Sequence, residues 1–238
     1  MVDLEIDDGL AVITIDRPHA RNAISLETMD QFDKALDGAE GAAALVITGA
    51  GDRAFVSGGD LKELSALRTE REAGAMAWRM RSICDRIAGF PGPTVAALNG
   101  HALGGGAEVA VSADIRLAAD DIKIGFNQVS LAIMPAWGGA ERLVDLVGFS
   151  KALLLAGTGM ILTAHDAHSS GLIDHLIPRD SFDAEWRRIA RALANRPAGE
   201  IKRVMRGVTT TEAVAAFARL WVSDEHWAAA DKVMKRDK

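Results

Sequence analysis

The sequence predicts an α/β domain that gives way to a helical C-terminal region, and three observations lead there. Short apolar runs of strand length, at residues 10–15, 43–48 and 94–98, alternate with stretches whose apolar residues recur at helical spacing. Glycine-rich turns separate them, Gly49-Ala50-Gly51, Ser57-Gly58-Gly59-Asp60 and Gly104-Gly105-Gly106. From Gly138 onward the pattern is almost entirely helical, apart from a short segment at 172–177 before Pro178. The best boundary lies at 179–182, dividing an α/β core of residues 1–180 from a helical region of residues 181–238.

Taken in order, residues 10–15 read as a strand closed by Asp16-Arg17-Pro18, where proline removes a ladder donor. Ser25 is placed to cap a helix, with Thr28 three residues on and Met29, Phe32 and Leu36 along one face. A buried strand follows at 43–48. The Asp60 carboxylate can cap the next helix, and a longer helix over 70–87 ends before Pro91 and Pro93. Residues 94–98 form another buried strand, the triple glycine opens a helix over 105–112, and 114–118 returns as a strand. No fixed-period repeat or low-complexity linker interrupts this order.

Composition narrows the function classes. A chain of 238 residues can bury about 70–75% of its surface on folding alone. With 49% hydrophobic and 25% charged residues it is an ordinary globular sequence, and a net charge of −6 offers no global basic field to nucleic acid. A polyanionic ligand must therefore be met by local arginines, lysines or helix N-termini. The single cysteine, Cys84, cannot form an intrachain disulfide and is expected to be a small core residue. The first ten residues hold no apolar run preceded by positive charge, and no apolar stretch approaches the ~20 residues of a membrane span. The expectation is a cytoplasmic protein with no membrane partner.

Several motifs carry weaker chemistry. Gly49-Ala50-Gly51-Asp52-Arg53-Ala54 matches a dinucleotide-binding G-x-G-x-x-A pattern, but residues 55–59 delay the helix that such a turn must open. His165, His168 and His175 are close in sequence, yet solvated helix faces explain them without a metal, and none is expected. The clusters Arg187, Arg188, Arg191 and Lys235, Arg236, Lys238 read as solvated faces, the latter able to meet phosphate.

The stretches Ser57-Gly58-Gly59-Asp60 and Leu103-Gly104-Gly105-Gly106-Ala107-Glu108 carry the strongest signal. Each leaves bare backbone N–H groups at the mouth of a helix, and two such groups can grip a carbonyl oxygen that becomes an anion. Glu108, one helical turn inside, adds a general acid or base. Its apolar neighbours Val109, Ala110 and Val111 favour a raised pKa, while the helix N-terminus favours the carboxylate.

With these stretches in place, the sequence resembles the crotonase, or enoyl-CoA hydratase/isomerase, family over nearly its whole length. The resemblance rests on Arg17-Pro18-His19-Ala20-Arg21-Asn22-Ala23, on 54–62 with its Ser57-Gly58-Gly59-Asp60-Leu61-Lys62, on 99–108 and on Pro135-Ala136-Trp137-Gly138-Gly139. It implies a spiral of ββα turns with a helical C-terminal region that assembles as a homotrimer or homohexamer. It further implies that Gly59 and Gly105 supply the oxyanion donors to an acyl-CoA thioester, with coenzyme A as part of the substrate and no tightly bound cofactor. Ala20, Arg21, Ser57, Gly58, Asp60 and Leu61 would line the coenzyme A channel, Pro135 and Trp137 the substrate site. Arg17, Lys62 and Arg236 would be possible phosphate partners.

One departure stands out. The family's hydratases carry a second glutamate seven residues before the proline of this last motif, where this chain has Gln128. An amide can position water or a carbonyl but cannot exchange a proton at neutral pH. The resemblance therefore implies thioester enolate stabilisation, first as an enoyl-CoA hydratase-like lyase of fatty acid metabolism. A methylmalonyl-CoA-type decarboxylase, an enoyl-CoA isomerase and a silent CoA-ester binding subunit stay open.

Overall fold

After an N-terminal hairpin, three successive turns of the chain each give one strand to each of two sheets before passing into helix. This is seen in a computed structural model that describes residues 1–236, the Arg236 side chain excepted. Strands β1 (Val2–Asp7) and β2 (Leu10–Ile15) form an antiparallel hairpin, followed by α1 (Leu26–Gly38). The next three turns are β3 (Ala44–Gly49), β4 (Ala54–Val56), α2 (Leu61–Leu64) and α3 (Glu70–Gly89); β5 (Thr94–Leu98), β6 (His101–Leu103) and α4 (Gly105–Ser112); and β7 (Ile115–Ala119), β8 (Lys123–Gly125), α5 (Gly139–Val147) and α6 (Phe149–Thr158). Strand β9 (Ile161–Thr163), α7 (Ala164–Ser170) and β10 (His175–Ile177) complete the sheets, and α8 (Phe182–Ala194), α9 (Ala198–Met205), α10 (Thr210–Trp221) and α11 (Asp224–Arg236) follow.

The larger sheet has the order β1-β2-β3-β5-β7-β10, parallel except for the first pair, and the smaller has the order β4-β6-β8-β9. This is the expected ββα spiral with a helical C-terminal region. The central strands β3 and β5 are buried at every position, as a parallel sheet covered on both faces requires. Helix α8 covers that sheet with a stripe of Phe182, Trp186, Ala190 and Ala194, spaced four residues apart.

Local signals explain most element ends. The Ser25 hydroxyl accepts from Thr28 N–H at 3.1 Å and caps α1, and Asp60 caps α2 through Glu63 N–H at 3.4 Å. Helix α3 opens with a reciprocal Thr69–Glu72 capping box. The β1–β2 turn is Asp8-Gly9 with both φ angles positive, +47° and +76°.

The strand expected at 172–177 is confined to β10, because Leu172 and Ile173 instead close the end of α7 through Ala167 O. The smaller sheet and β1 were not anticipated. The strands β4, β6, β8 and β9 are three residues each, too short to show alternation. Among the described residues no helix is long and apolar enough to cross a membrane.

Candidate active site

The strands β4, β6 and β8 run parallel, so their C-terminal ends open on one edge of the smaller sheet. The turns leaving them hold Ser57-Gly58-Gly59-Asp60, Gly104-Gly105 and Gln128 respectively. Chain segments far apart in sequence, at 57–60, 104–105 and 128, thereby meet at one place. Gly58 (φ +103°) and Gly104 (φ +55°) adopt backbone that a side chain would strain. A methyl on Gly58 would sit 3.4 Å from the Gly105 nitrogen, so the two turns abut. Behind them α4 lies directly on β4: a methyl on Gly106 would meet Val56 O at 1.8 Å.

The first turn is pinned on one side. Ile24 N–H donates to Gly58 O and Asp60 N–H to Ile24 O, each at 2.8 Å, which leaves the Gly59 N–H out of that bridge. Gly105 is the first residue of α4, where N–H groups have no intrahelical acceptor. Neither N–H finds an acceptor among the described residues.

Glu108 is 2% exposed and its carboxylate is held on both oxygens. Oε1 accepts from Gln128 Nε2 at 2.8 Å; Oε2 accepts from Trp137 N–H at 2.7 Å and Gly139 N–H at 3.0 Å. Burial pushes the carboxyl up, outweighing the hydrogen bonds from Gly139, Trp137 and Gln128, and it titrates above its ordinary 4.5. Gln128 Oε1 is buried with no partner among the described residues.

Trp137 brings the parts together. Its indole is buried against the glycine turns: a methyl on Gly105 would meet ring atom Cζ3 at 2.1 Å, and one on Gly59 would lie 3.9 Å from Cζ2. Pro135 is buried beside it in the same loop. Arg142 Nη1 donates to Trp137 O at 3.4 Å, and its Nη2 pairs with Asp85 at 2.5 Å on α3. Sequence reasoning missed Arg142 and Asp85, which carry no motif and meet only through the path of the loop.

The residues expected along the ligand channel differ in exposure and in pairing. Arg17 is committed internally, donating to Ala23 O at 2.5 Å and Asp60 Oδ2 at 3.0 Å. Burial pushes Asp60 up, but hydrogen bonds from Arg17 and from the Glu63 and Lys62 N–H groups outweigh it and hold the carboxyl below its ordinary value. Leu61 and Lys62 are exposed on α2, Arg21 is exposed, and Ala20 and Ser57 are half-buried. Neither Arg21 nor Lys62 has an ion-pair partner among the described residues. The Arg236 side chain lies outside the described residues.

A cleft of about 450 Å³ runs from Arg21 and Ser57 to Arg53, His101 and Arg179. Arg53 and His101 are neighbours there because Ala54 pairs with His101 between β4 and β6. Nothing in the sequence signalled this pairing, since neither strand was legible.

Beneath the site, Asn22 donates to Ala50 O at 3.0 Å and Ala54 O at 2.7 Å and accepts from Arg17 N–H at 2.9 Å. The Gly49-Ala50-Gly51 turn leads into β4 rather than a helix, which removes the dinucleotide geometry. Burial, with the nearby Glu108 charge, pushes the Cys84 thiol up to about 12, an inert core cysteine. Among the described residues no three His, Cys, Asp or Glu side chains cluster closely enough to hold a metal ion.

Comparison with known proteins agrees with this architecture. A family model described as enoyl-CoA hydratase/isomerase matches residues 5–221. The chain is 38% identical over 175 residues to the probable enoyl-CoA hydratase of Bacillus subtilis, covering 72% of this chain and 67% of that protein. It is 37% identical over 193 residues to the crotonyl-CoA hydratase of Syntrophomonas wolfei, covering 79% and 73%. Among solved structures, an enoyl-CoA hydratase from Bacillus anthracis matches with a TM-score of 0.85 at 25% identity, over 100% of this chain and 96% of that one.

Proposed function

The chain belongs to the enoyl-CoA hydratase/isomerase family, the crotonase superfamily, and from that premise we propose that it is an enoyl-CoA hydratase-like lyase acting on an acyl-CoA thioester. The observation that carries this reading is the meeting of two acceptor-free N–H groups, Gly59 and Gly105, with one buried carboxylate, Glu108. A thioester carbonyl seated on the two donors becomes an enolate when a nucleophile adds at Cβ. Each donor is worth about 3–4 kcal/mol to that anion in a site closed to water.

Glu108 then serves both proton steps. It takes a proton from water as the water oxygen bonds to Cβ, and returns it to Cα as the enolate collapses, a net addition of one water. A carboxyl above its ordinary pKa suits this exchange near neutral pH. Gln128 orients the carboxylate through Nε2, and its unpartnered Oε1 is free to accept a hydrogen from the attacking water.

Coenzyme A enters as part of the substrate, with no tightly bound cofactor required. The unpaired Arg21 and Lys62, and Arg53 in the adjoining cleft, are suited to its phosphates. Self-association into a homotrimer or homohexamer fits the apolar surface left on the helical region, where Phe217, Trp221 and Trp227 are exposed. A place in fatty acid metabolism in the cytoplasm accompanies this substrate.

Decarboxylation is the second reading, favoured by the amide at position 128. Loss of carbon dioxide from a methylmalonyl-type thioester makes the enolate without a base, so one carboxylate suffices. Incubating the purified protein with crotonyl-CoA and with methylmalonyl-CoA separates the two. Hydration of the first supports the lyase; carbon dioxide from the second alone supports the rival; neither contradicts both and leaves a binding subunit.

A further inference from the structure

The reactive centre of this site is bounded by an aromatic ring. Residue Trp137 meets all three groups assigned above: the benzo edge of its indole lies against Gly105 and near Gly59, and its backbone N–H donates to Glu108 Oε2 at 2.7 Å. The ring is 6% exposed, and the loop carrying it is fixed at both ends. Glu108 takes the N–H groups of Trp137 and Gly139, and Arg142, anchored to Asp85, takes the Trp137 carbonyl. Gly138 (φ +92°) turns the chain between these points, and a methyl there would strike Arg142 Nη1 at 2.2 Å. A ring on so constrained a loop has little room to move aside.

Resting on the CoA-thioester reading, we propose that Trp137 is the residue that sets acyl-chain length, restricting this enzyme to short acyl groups. A thioester whose oxygen sits on Gly59 and Gly105 N–H must place Cα and Cβ within reach of Glu108, in the space that the benzo edge borders. Carbons beyond Cβ run toward that edge. Interiors packed at crystal-like density do not absorb several extra methylenes without displacing a side chain, and here that side chain stands on a loop whose backbone N–H groups are tethered to Glu108. A long acyl chain would thus pull the Trp137 N–H away from Glu108 as well as meet the ring.

The test compares binding of butyryl-CoA and octanoyl-CoA by calorimetry, and turnover of crotonyl-CoA and trans-2-octenoyl-CoA, in the parent, Trp137→Phe and Trp137→Gly. The parent should bind butyryl-CoA more tightly than octanoyl-CoA. The ratio of kcat/KM for the eight-carbon over the four-carbon substrate should rise by about tenfold or more in Trp137→Gly, and by less in Trp137→Phe, whatever the absolute rates. A general loss of structure would lower both substrates together and leave the ratio unmoved.

Equal or tighter octanoyl-CoA binding by the parent overturns the assignment of Trp137 while leaving the CoA-thioester reading intact. Failure of the parent to bind either thioester overturns both. If Trp137→Gly does not fold, the parent's binding pair and Trp137→Phe decide the matter.

Discussion

The Gln128 side-chain amide donates to Glu108 Oε1 across 2.8 Å, so the buried carboxylate faces a neutral partner. A second carboxylate at that distance would share a proton with Glu108, the two groups titrating as a coupled pair. The amide avoids that repulsion and steadies the charged form, at the loss of a second proton carrier.

Gln128→Glu should therefore change the kinetics in a definite direction. A restored carboxyl pair adds a general acid-base worth about 10²-fold or more, so crotonyl-CoA hydration should accelerate, with an added limb in its pH profile. An unchanged or slower reaction with an unaltered profile would show that the amide already fills the role.

Glu108 makes stability depend on pH with a predictable sign. Its folded-state pKa is raised above the ordinary 4.5, so the protonated form is the one favoured by folding. That contribution is complete below 4.5 and is lost as pH rises through the folded-state value. In Glu108→Gln the loss is absent, and Gln128 can turn its unpartnered Oε1 toward the new amide. Urea unfolding of the two proteins should show a gap that moves in the variant's favour as pH rises above 4.5; a pH-independent gap would contradict the buried-carboxyl account.

Gly105→Ala keeps the donor N–H but places a methyl 2.1 Å from the Trp137 ring, so turnover should fall by about 10²-fold or more. Adding Trp137→Gly removes the obstacle and should recover part of the lost activity. Equal activity of the single and double variants would place the damage elsewhere.

Asn22→Ala should destabilise the fold by about 2–4 kcal/mol, measured as a lower urea midpoint. The side chain is 1% exposed, and its removal strips partners from Arg17 N–H and from the carbonyls of Ala50 and Ala54. It also leaves alanine at φ +56°, a conformation asparagine tolerates better. A midpoint within error of the parent would sink this assignment.

How much of this was legible follows from where the signals lie. Strand β2, the Ser25 and Asp60 caps and helix α4 stand on local patterns and could be read directly. Strand β1 carries a local signal too, Val2, Leu4 and Ile6 alternating with Asp3, Glu5 and Asp7 before the Asp8-Gly9 turn, which the expectation left unused. The smaller sheet could not be read, since its three-residue strands exist through pairing with distant partners. Consequently the glycine turns and Glu108 were visible as candidates, whereas the seating of Trp137 on Gly105 and the Arg142–Asp85 anchor depend on tertiary path. The cleft formed by Arg53, His101 and Arg179 was hidden for the same reason.

The most direct measurement is crotonyl-CoA hydration by the parent and by Glu108→Gln, following kcat/KM across pH. With Glu108 as the proton carrier, the parent hydrates crotonyl-CoA with a limb whose apparent pKa lies above 4.5, and the variant loses that limb with about 10²–10⁴-fold of the rate. A variant that hydrates as fast as the parent, or a parent with no hydration at all, would contradict a hydratase working through a single buried carboxylate.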